Sequence, residues 1–157
     1  GITTMKKILA VAVLTALTST SSYAESLLNK SSANRFLQDF YVAVKKHDYK
    51  KLDLMVADNA QIKWHLVKME QTFSLSKVDY LQQIKASWHF ATQEKFDLKD
   101  VNYTTTQEGL SGTLSLKVIE SKEILGEKIS QEQTMEMGLV VADDMIKLSE
   151  LKAKTTF

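Results

Sequence analysis

The chain of 157 residues contains no cysteine, no proline and only five glycines. Without cysteine it cannot form disulfides, thiolate metal sites, a cysteine nucleophile or a lipid-modified N-terminal cysteine. Stability must therefore come from an apolar core, and about 130 residues are enough to bury one. Without proline, linkers or repeats, no strong break divides the chain after its N-terminal segment, which favours a single domain.

The sequence also has no excess of charge of either sign. It contains 20 Lys and Arg and 19 Asp and Glu. Without Lys6 and Lys7 it has 18 basic and 19 acidic residues, a net charge of −1. Arg35 is the single arginine. Such a chain lacks the basic field and the guanidinium groups that favour phosphate recognition. Binding to nucleic acid is therefore not expected.

The N-terminus has the pattern of a secretory signal peptide. Lys6 and Lys7 precede an apolar run over residues 8–17 that is too short to span a bilayer. The small residues Ser22 and Ala24 match the site cut by signal peptidase. We expect cleavage after Ala24 and a mature protein that is free of the membrane in a bacterial periplasm. Secretion into the medium and an uncleaved anchor are the alternatives.

Residues 1–4 precede Met5 and are interpreted as an addition ahead of the natural start. The predicted organisation is therefore residues 1–24 as this addition plus the signal peptide, followed by one domain over residues 25–157.

Helical patterns dominate the first part of the domain. Ser31 or Ser32 can cap a helix of about four turns, and Asp48 can cap a shorter one, so that the two form a hairpin. Ser76 can cap a third helix. The apolar positions of the three helices are Ala33, Phe36, Leu37, Phe40, Tyr41 and Val44, then Leu52, Met55 and Val56, then Tyr80, Leu81, Ile84 and Trp88.

Strand patterns occupy the remainder. Residues 60–67 alternate with period two, which turns Trp64 inward and His65 outward. A polar connection is expected from there to Ser76. Turn signals separate four further strands, predicted over residues 96–105, 110–120, 128–141 and 145–155. The alternation slips between Leu98 and Val101, which predicts a β-bulge.

The element order ααβαββββ resembles the nuclear transport factor 2-like, or cystatin-like, superfamily. The segments 41–44, 47–49 and 52–60 are similar to the first helical hairpin of that superfamily and its entry into the first strand. The resemblance covers nearly all of the mature chain. It implies an α+β fold in which a strongly curved, mixed or antiparallel sheet wraps three N-terminal helices into a cone.

The superfamily includes ketosteroid isomerases, polyketide cyclases and dehydratases beside members that only bind or assemble. In the isomerases an aspartate near the end of the first strand is the base, and the resemblance puts Trp64 at that position. An indole cannot accept a proton. The tyrosine of the first helix is matched by Phe40, with Tyr41 one residue out of register. Chemistry of the isomerase type is therefore not expected.

The inward faces predict a cone interior of soft apolar groups that suits a small hydrophobic molecule, with no metal or cofactor. A filled core without a cavity is the alternative, because such residues most often only pack. Gln131 can also help to orient a guest. The predicted ligand-binding residues are Tyr41, Trp64, Tyr80, Trp88, Gln133, Met135 and Met137.

Three hypotheses follow for function. The first is a non-catalytic module that binds a small hydrophobic ligand or a protein partner, including a homodimer through the outward sheet face at Thr113, Ser115, Lys117, Ile119, Thr134 and Glu136. The second is a cyclase, dehydratase or isomerase for a lipophilic carbonyl compound, with Tyr41 and His65 or Asp100 as acid and base. It requires a cavity with at least two titratable groups within hydrogen-bond reach of each other. The third is an accessory of an envelope complex.

Overall fold

The computed structural model describes residues 27–156. The predicted signal peptide, its cleavage site and the residues ahead of Met5 lie outside the described residues. Between residues 27 and 156, no helix combines the length and the apolar character needed to cross a membrane.

Within residues 27–156, three helices and six strands follow one another in the order ααββαββββ, which confirms the α+β prediction and adds one strand to it. The helices are α1 (Lys30–Lys45), α2 (Tyr49–Met55) and α3 (Lys77–Phe90). The strands are β1 (Val56–Leu66), β2 (Gln71–Leu75), β3 (Ala91–Gln107), β4 (Ser111–Ile124), β5 (Glu127–Ala142) and β6 (Met145–Thr156).

Helix α1 begins earlier than its serines suggest. Asn29 is its N-cap, because Asn29 Oδ1 accepts a hydrogen bond of 2.9 Å from the Ser32 backbone N–H. Ser32 Oγ in turn accepts one of 2.9 Å from the Asn29 backbone N–H. The prediction of a serine cap is therefore wrong, since Ser32 is the reciprocal partner in a capping box whose cap is an amide.

The other two helices start at the predicted caps. Asp48 accepts from the Lys51 N–H at the start of α2, and Ser76 accepts from the Asp79 N–H at the start of α3. Lys77 Nζ then ties α3 to the elements beside it, donating to the Asp53 carbonyl oxygen at 2.9 Å and to Asp58 Oδ1 at 3.0 Å. These contacts fix the position of α3 over the sheet.

The strands form one open sheet in the order β2-β1-β6-β5-β4-β3. All neighbours are antiparallel except β1 and β6, which are parallel. The polar connection expected before Ser76 is wrong in its second half, because residues 71–75 form edge strand β2, paired with β1 from Ile62↔Leu75 to Leu66↔Gln71. Each residue of β2 from 71 to 74 is exposed, so the segment has no buried face to reveal it.

The pairing of β3 with β4 shifts register at three places, the last of them between Thr105 and Gln107 near the end of the strand. The pairing with β4 shifts between Lys99 and Asn102, with Asp100 at φ +53°, which confirms the bulge predicted from the slip in alternation. A second shift lies between Thr92 and Lys95, where Gln93 also has φ +53°. Bulges raise the local twist and bend a strand. This strand can therefore curve around the helices that the sheet covers.

The core fills the space between the helices and the concave face of the sheet. Its fully buried side chains come from every helix and from four strands. Buried side chains alternate along β4 as Leu114, Leu116 and Val118, and along β5 as Met135, Met137 and Leu139. This period of two leaves the other face of both strands to solvent. The largest fully buried side chains are Leu37, Leu52, Leu81, Leu114, Met137, Leu139 and Leu148.

Candidate functional site

A partly open cavity of about 240 Å³ lies between α1, α3 and the concave face of the sheet. The apolar part of its wall is rich in aromatic rings. Its charged residues lie on β3 and β4, and its uncharged amide and aliphatic hydroxyl groups lie on β5 and α3. The wall is formed by Phe40, Tyr41, Val44, Ile62, Trp64, Leu75, Tyr80, Gln83, Ile84, Ser87, Glu94, Phe96, Val118, Glu120, Lys122, Gln131, Gln133, Met135, Leu151 and Ala153.

The aromatic wall is held in place by specific contacts. Tyr41 Oη donates to Met135 Sδ at 3.3 Å, and the rings of Tyr41 and Phe96 lie 5.1 Å apart. Trp64 Nε1 donates to Thr155 Oγ1 at 2.6 Å, which gives the buried Thr155 hydroxyl a partner. Burial, Tyr80 and Glu120 hold the pKa of Tyr41 well above its usual range, and burial alone raises the pKa of Tyr80. Both phenols stay neutral at physiological pH.

The polar wall contains a largely buried ion pair. Lys122 Nζ lies 3.2 Å from Glu120 Oε1, and the two side chains are only 15% and 14% exposed. Gln131 Nε2 donates to the second oxygen, Glu120 Oε2, at 2.9 Å. The carboxylate of Glu120 thus has a partner on each oxygen, and the Lys122 ammonium is committed to it.

Glu94 is placed differently from Glu120. Its Oε1 is buried and has no hydrogen-bond partner within residues 27–156. Burial first, and then the charge of Glu120, raise the pKa of Glu94, while His47 and Lys122 oppose the shift. The cavity therefore contains one carboxyl that is fully paired and a second whose charged form is poorly compensated.

Sequence reasoning missed these charged groups although the signal was present. In β4 every second side chain faces inward, and the alternation predicted up to Val118 continues to Glu120 and Lys122. Gln131 is the direct cross-strand partner of Glu120. Glu94 shares the parity of Phe96 and follows the bulge at Gln93, and bulges next to a site commonly re-aim a side chain.

The predicted ligand-binding residues divide into two groups. Tyr41, Trp64, Tyr80, Gln133 and Met135 line the cavity. The other two are absent from its wall. Trp88 stacks on His47 with ring centroids 4.6 Å apart, and Met137 is buried in the core at 1% exposure.

The candidate acids and bases of the enzyme hypothesis lie mostly elsewhere. His65 follows Trp64 in β1 and so faces the other side of the sheet, where its Nδ1 lies 2.9 Å from Thr72 Oγ1. Asp100 is exposed in the bulge of β3. Tyr41 lines the cavity, but Glu94 and Glu120 are the carboxyl groups there. Among the residues that the structure describes, no three metal-ligating side chains cluster together.

Comparison with known proteins identifies the fold. No family model matches the sequence, and no curated protein matches it either. Solved structures do match. A nuclear transport factor 2-like protein of unknown function in nutrient uptake from Rhodospirillum rubrum superposes with a TM-score of 0.64 at 14% identity, covering 79% of this chain and 98% of that one.

Two further structures agree with the first. A protein with a cystatin-like fold from Caulobacter vibrioides gives a TM-score of 0.63 at 9% identity over 81% of this chain and 89% of that one. The hexachlorocyclohexane dehydrochlorinase LinA-type3 from Novosphingobium barchaimii gives a TM-score of 0.65 at 12% identity, covering 82% of this chain and 86% of that one. The chain therefore has the nuclear transport factor 2-like cone fold, as the sequence resemblance implied. At these identities the likeness establishes the fold, and function has to be argued from the cavity.

Proposed function

We propose that the protein binds a small amphipathic molecule in the cone cavity. The cavity itself carries this proposal, because it offers apolar and aromatic surface on one side and a few polar groups on the other. Binding pockets for small molecules commonly have this composition. At about 240 Å³ the cavity is smaller than pockets for drug-sized ligands, which begin near 300 Å³. The guest is therefore a compact molecule.

Filling the cavity tests this proposal. Ala153 lies in the wall on β6, beside Trp64 and Met135 in the sheet, whereas its neighbour Lys154 is exposed on the other face. We expect Ala153→Leu to weaken binding of hexan-1-ol about tenfold or more, and the control Lys154→Leu to leave it unchanged. Isothermal titration calorimetry measures both, and equal affinity in the two variants would place the guest elsewhere.

An enzyme is the second candidate, favoured by the two unlike carboxyl groups. Glu120 and Lys122 meet the requirement that the enzyme hypothesis set, since both line the cavity and lie 3.2 Å apart, and Glu94 adds a second carboxyl to the same wall. A carboxyl with a raised pKa beside an ionised one is a common acid–base arrangement. The dehydrochlorinase among the similar folds adds support. Native mass spectrometry separates the candidates, because a binding protein returns its guest unchanged and an enzyme converts it.

We also propose that the protein works as a homodimer in the periplasm. The outward face of β4 and β5 exposes Lys117 and Glu136 beside Ser115 and Thr134, so opposite charges could meet across a twofold axis. Light scattering of the mature domain is expected to give twice the chain mass, and Ser115→Arg to give a monomer. A wild-type monomer would contradict the dimer.

A further inference from the structure

We propose that the guest of the cavity is a small amine, an apolar body with one protonated nitrogen, and that Glu94 receives that nitrogen. This inference rests on the proposed function and narrows it to one chemical class. Its starting point is the difference between the two carboxyl groups of the wall.

Glu94 provides an acceptor that the protein itself leaves unused. Buried polar atoms in folded proteins almost always have a hydrogen-bond partner, and an unpaired one calls for an explanation. Glu94 Oε1 is such an atom within residues 27–156, and its side chain lines the cavity. A donor on a bound guest would supply the missing partner.

The charges of the wall decide what kind of donor fits. Among residues 27–156, the charged residues that line the cavity are Glu94, Glu120 and Lys122. Together they carry a net charge of −1 when all are ionised. Lys122 is already paired with Glu120 at 3.2 Å. A carboxylate or phosphate guest would face two acids without a free cation. A cation would instead neutralise the excess charge.

The rest of the wall suits the same guest. Tyr41, Trp64 and Tyr80 are among the aromatic residues that line the cavity. Aromatic faces attract ammonium groups and also pack well against hydrocarbon. An alkylamine or aralkylamine can therefore bury its body against the rings while its nitrogen reaches the acidic end.

Ionisation of Glu94 should make binding of an amine depend on pH. An ammonium binds the carboxylate form, so its affinity rises as Glu94 loses its proton, whereas a neutral alcohol has no such dependence. The charged groups that act on Glu94 are Glu120, His47 and Lys122. A Glu94→Gln variant isolates the contribution of Glu94 to this dependence.

Three probes with the same chain test the inference: hexylamine, hexan-1-ol and hexanoate, each titrated by calorimetry at pH 7. We expect hexylamine to bind about tenfold tighter than hexan-1-ol, and hexanoate to bind weakest. Glu94→Gln should lower the affinity for hexylamine to that for hexan-1-ol, and should change the affinity for hexan-1-ol by no more than about twofold. The control Glu123→Gln, on the opposite parity of β4 and outside the wall, should retain the preference.

Each outcome decides something. If hexanoate binds as well as the amine, or Glu94→Gln keeps the preference, the inference is overturned while the cavity remains a binding site. If none of the three binds, the proposed function is contradicted and the inference falls with it. Should Glu94→Gln fail to fold, the wild-type profile decides, since amine affinity must rise from pH 5 to 8 more steeply than alcohol affinity.

Discussion

Replacing Leu148 by alanine is expected to lower the free energy of unfolding by about 3 to 4 kcal/mol. Leu148 is completely buried in β6, with Leu139 of β5 beside it on one side and Val56 of β1 on the other. The substitution removes three carbons from a position enclosed by the sheet and by the helices that cover it. The surrounding structure cannot collapse fully into the space, so a cavity term adds to the lost burial.

Urea denaturation of wild type and variant measures this difference. Leu125→Ala is the matched control, because Leu125 lies in the β4–β5 turn with 98% of its surface exposed. The same chemical change there should alter stability by less than about 0.5 kcal/mol. A loss below about 1 kcal/mol for Leu148→Ala would contradict the packing described for β6.

Removing Glu120 alone is expected to cost about 2 to 3 kcal/mol of stability. Glu120→Ala leaves the Lys122 ammonium largely buried at 15% exposure without its counter-ion, and leaves Gln131 Nε2 without its acceptor. The penalty for an uncompensated buried charge exceeds the net contribution of the intact pair. The double variant Glu120→Ala/Lys122→Ala should therefore be more stable than Glu120→Ala.

Chemical denaturation at pH 7 of the four proteins of this double-mutant cycle tests the expectation. Lys117 and Glu132 provide the control, because their ion pair of 3.9 Å on the outer face has both side chains about half exposed. Glu132→Ala should cost less than about 1 kcal/mol. If the double variant were less stable than Glu120→Ala, the penalty expected for an uncompensated Lys122 charge would be contradicted.

The parts of the fold that could be predicted are those in which one face is buried and the other is not. Ala60, Ile62 and Trp64 alternate with polar residues because β1 is half-buried. Asp48 and Ser76 predict the starts of helices because their side chains accept hydrogen bonds from otherwise unpaired backbone N–H groups. Strand β2 was missed for the same reason. Residues 71–74 are all exposed, and their strand conformation is fixed by hydrogen bonds to β1 rather than by a buried face.

The candidate site was predicted only in its apolar half. Trp64, Tyr41 and Met135 were placed by hydrophobic periodicity, which finds the residues that a core needs. Glu94 and Glu120 occupy inward positions that the same periodicity assigns to apolar residues, so they register as exceptions to it. Such exceptions are expected where function outweighs stability. The volume of the cavity depends on side-chain packing and could not be read from the sequence.

The parallel pairing of β1 with β6 affects how the protein is made. Residues 61–66 of β1 bond to residues 150–155, about 90 residues further along the chain. Contacts so distant in sequence form slowly, and these cannot form while the C-terminal strand is still inside the ribosome. A nascent chain therefore has no finished sheet to fold into.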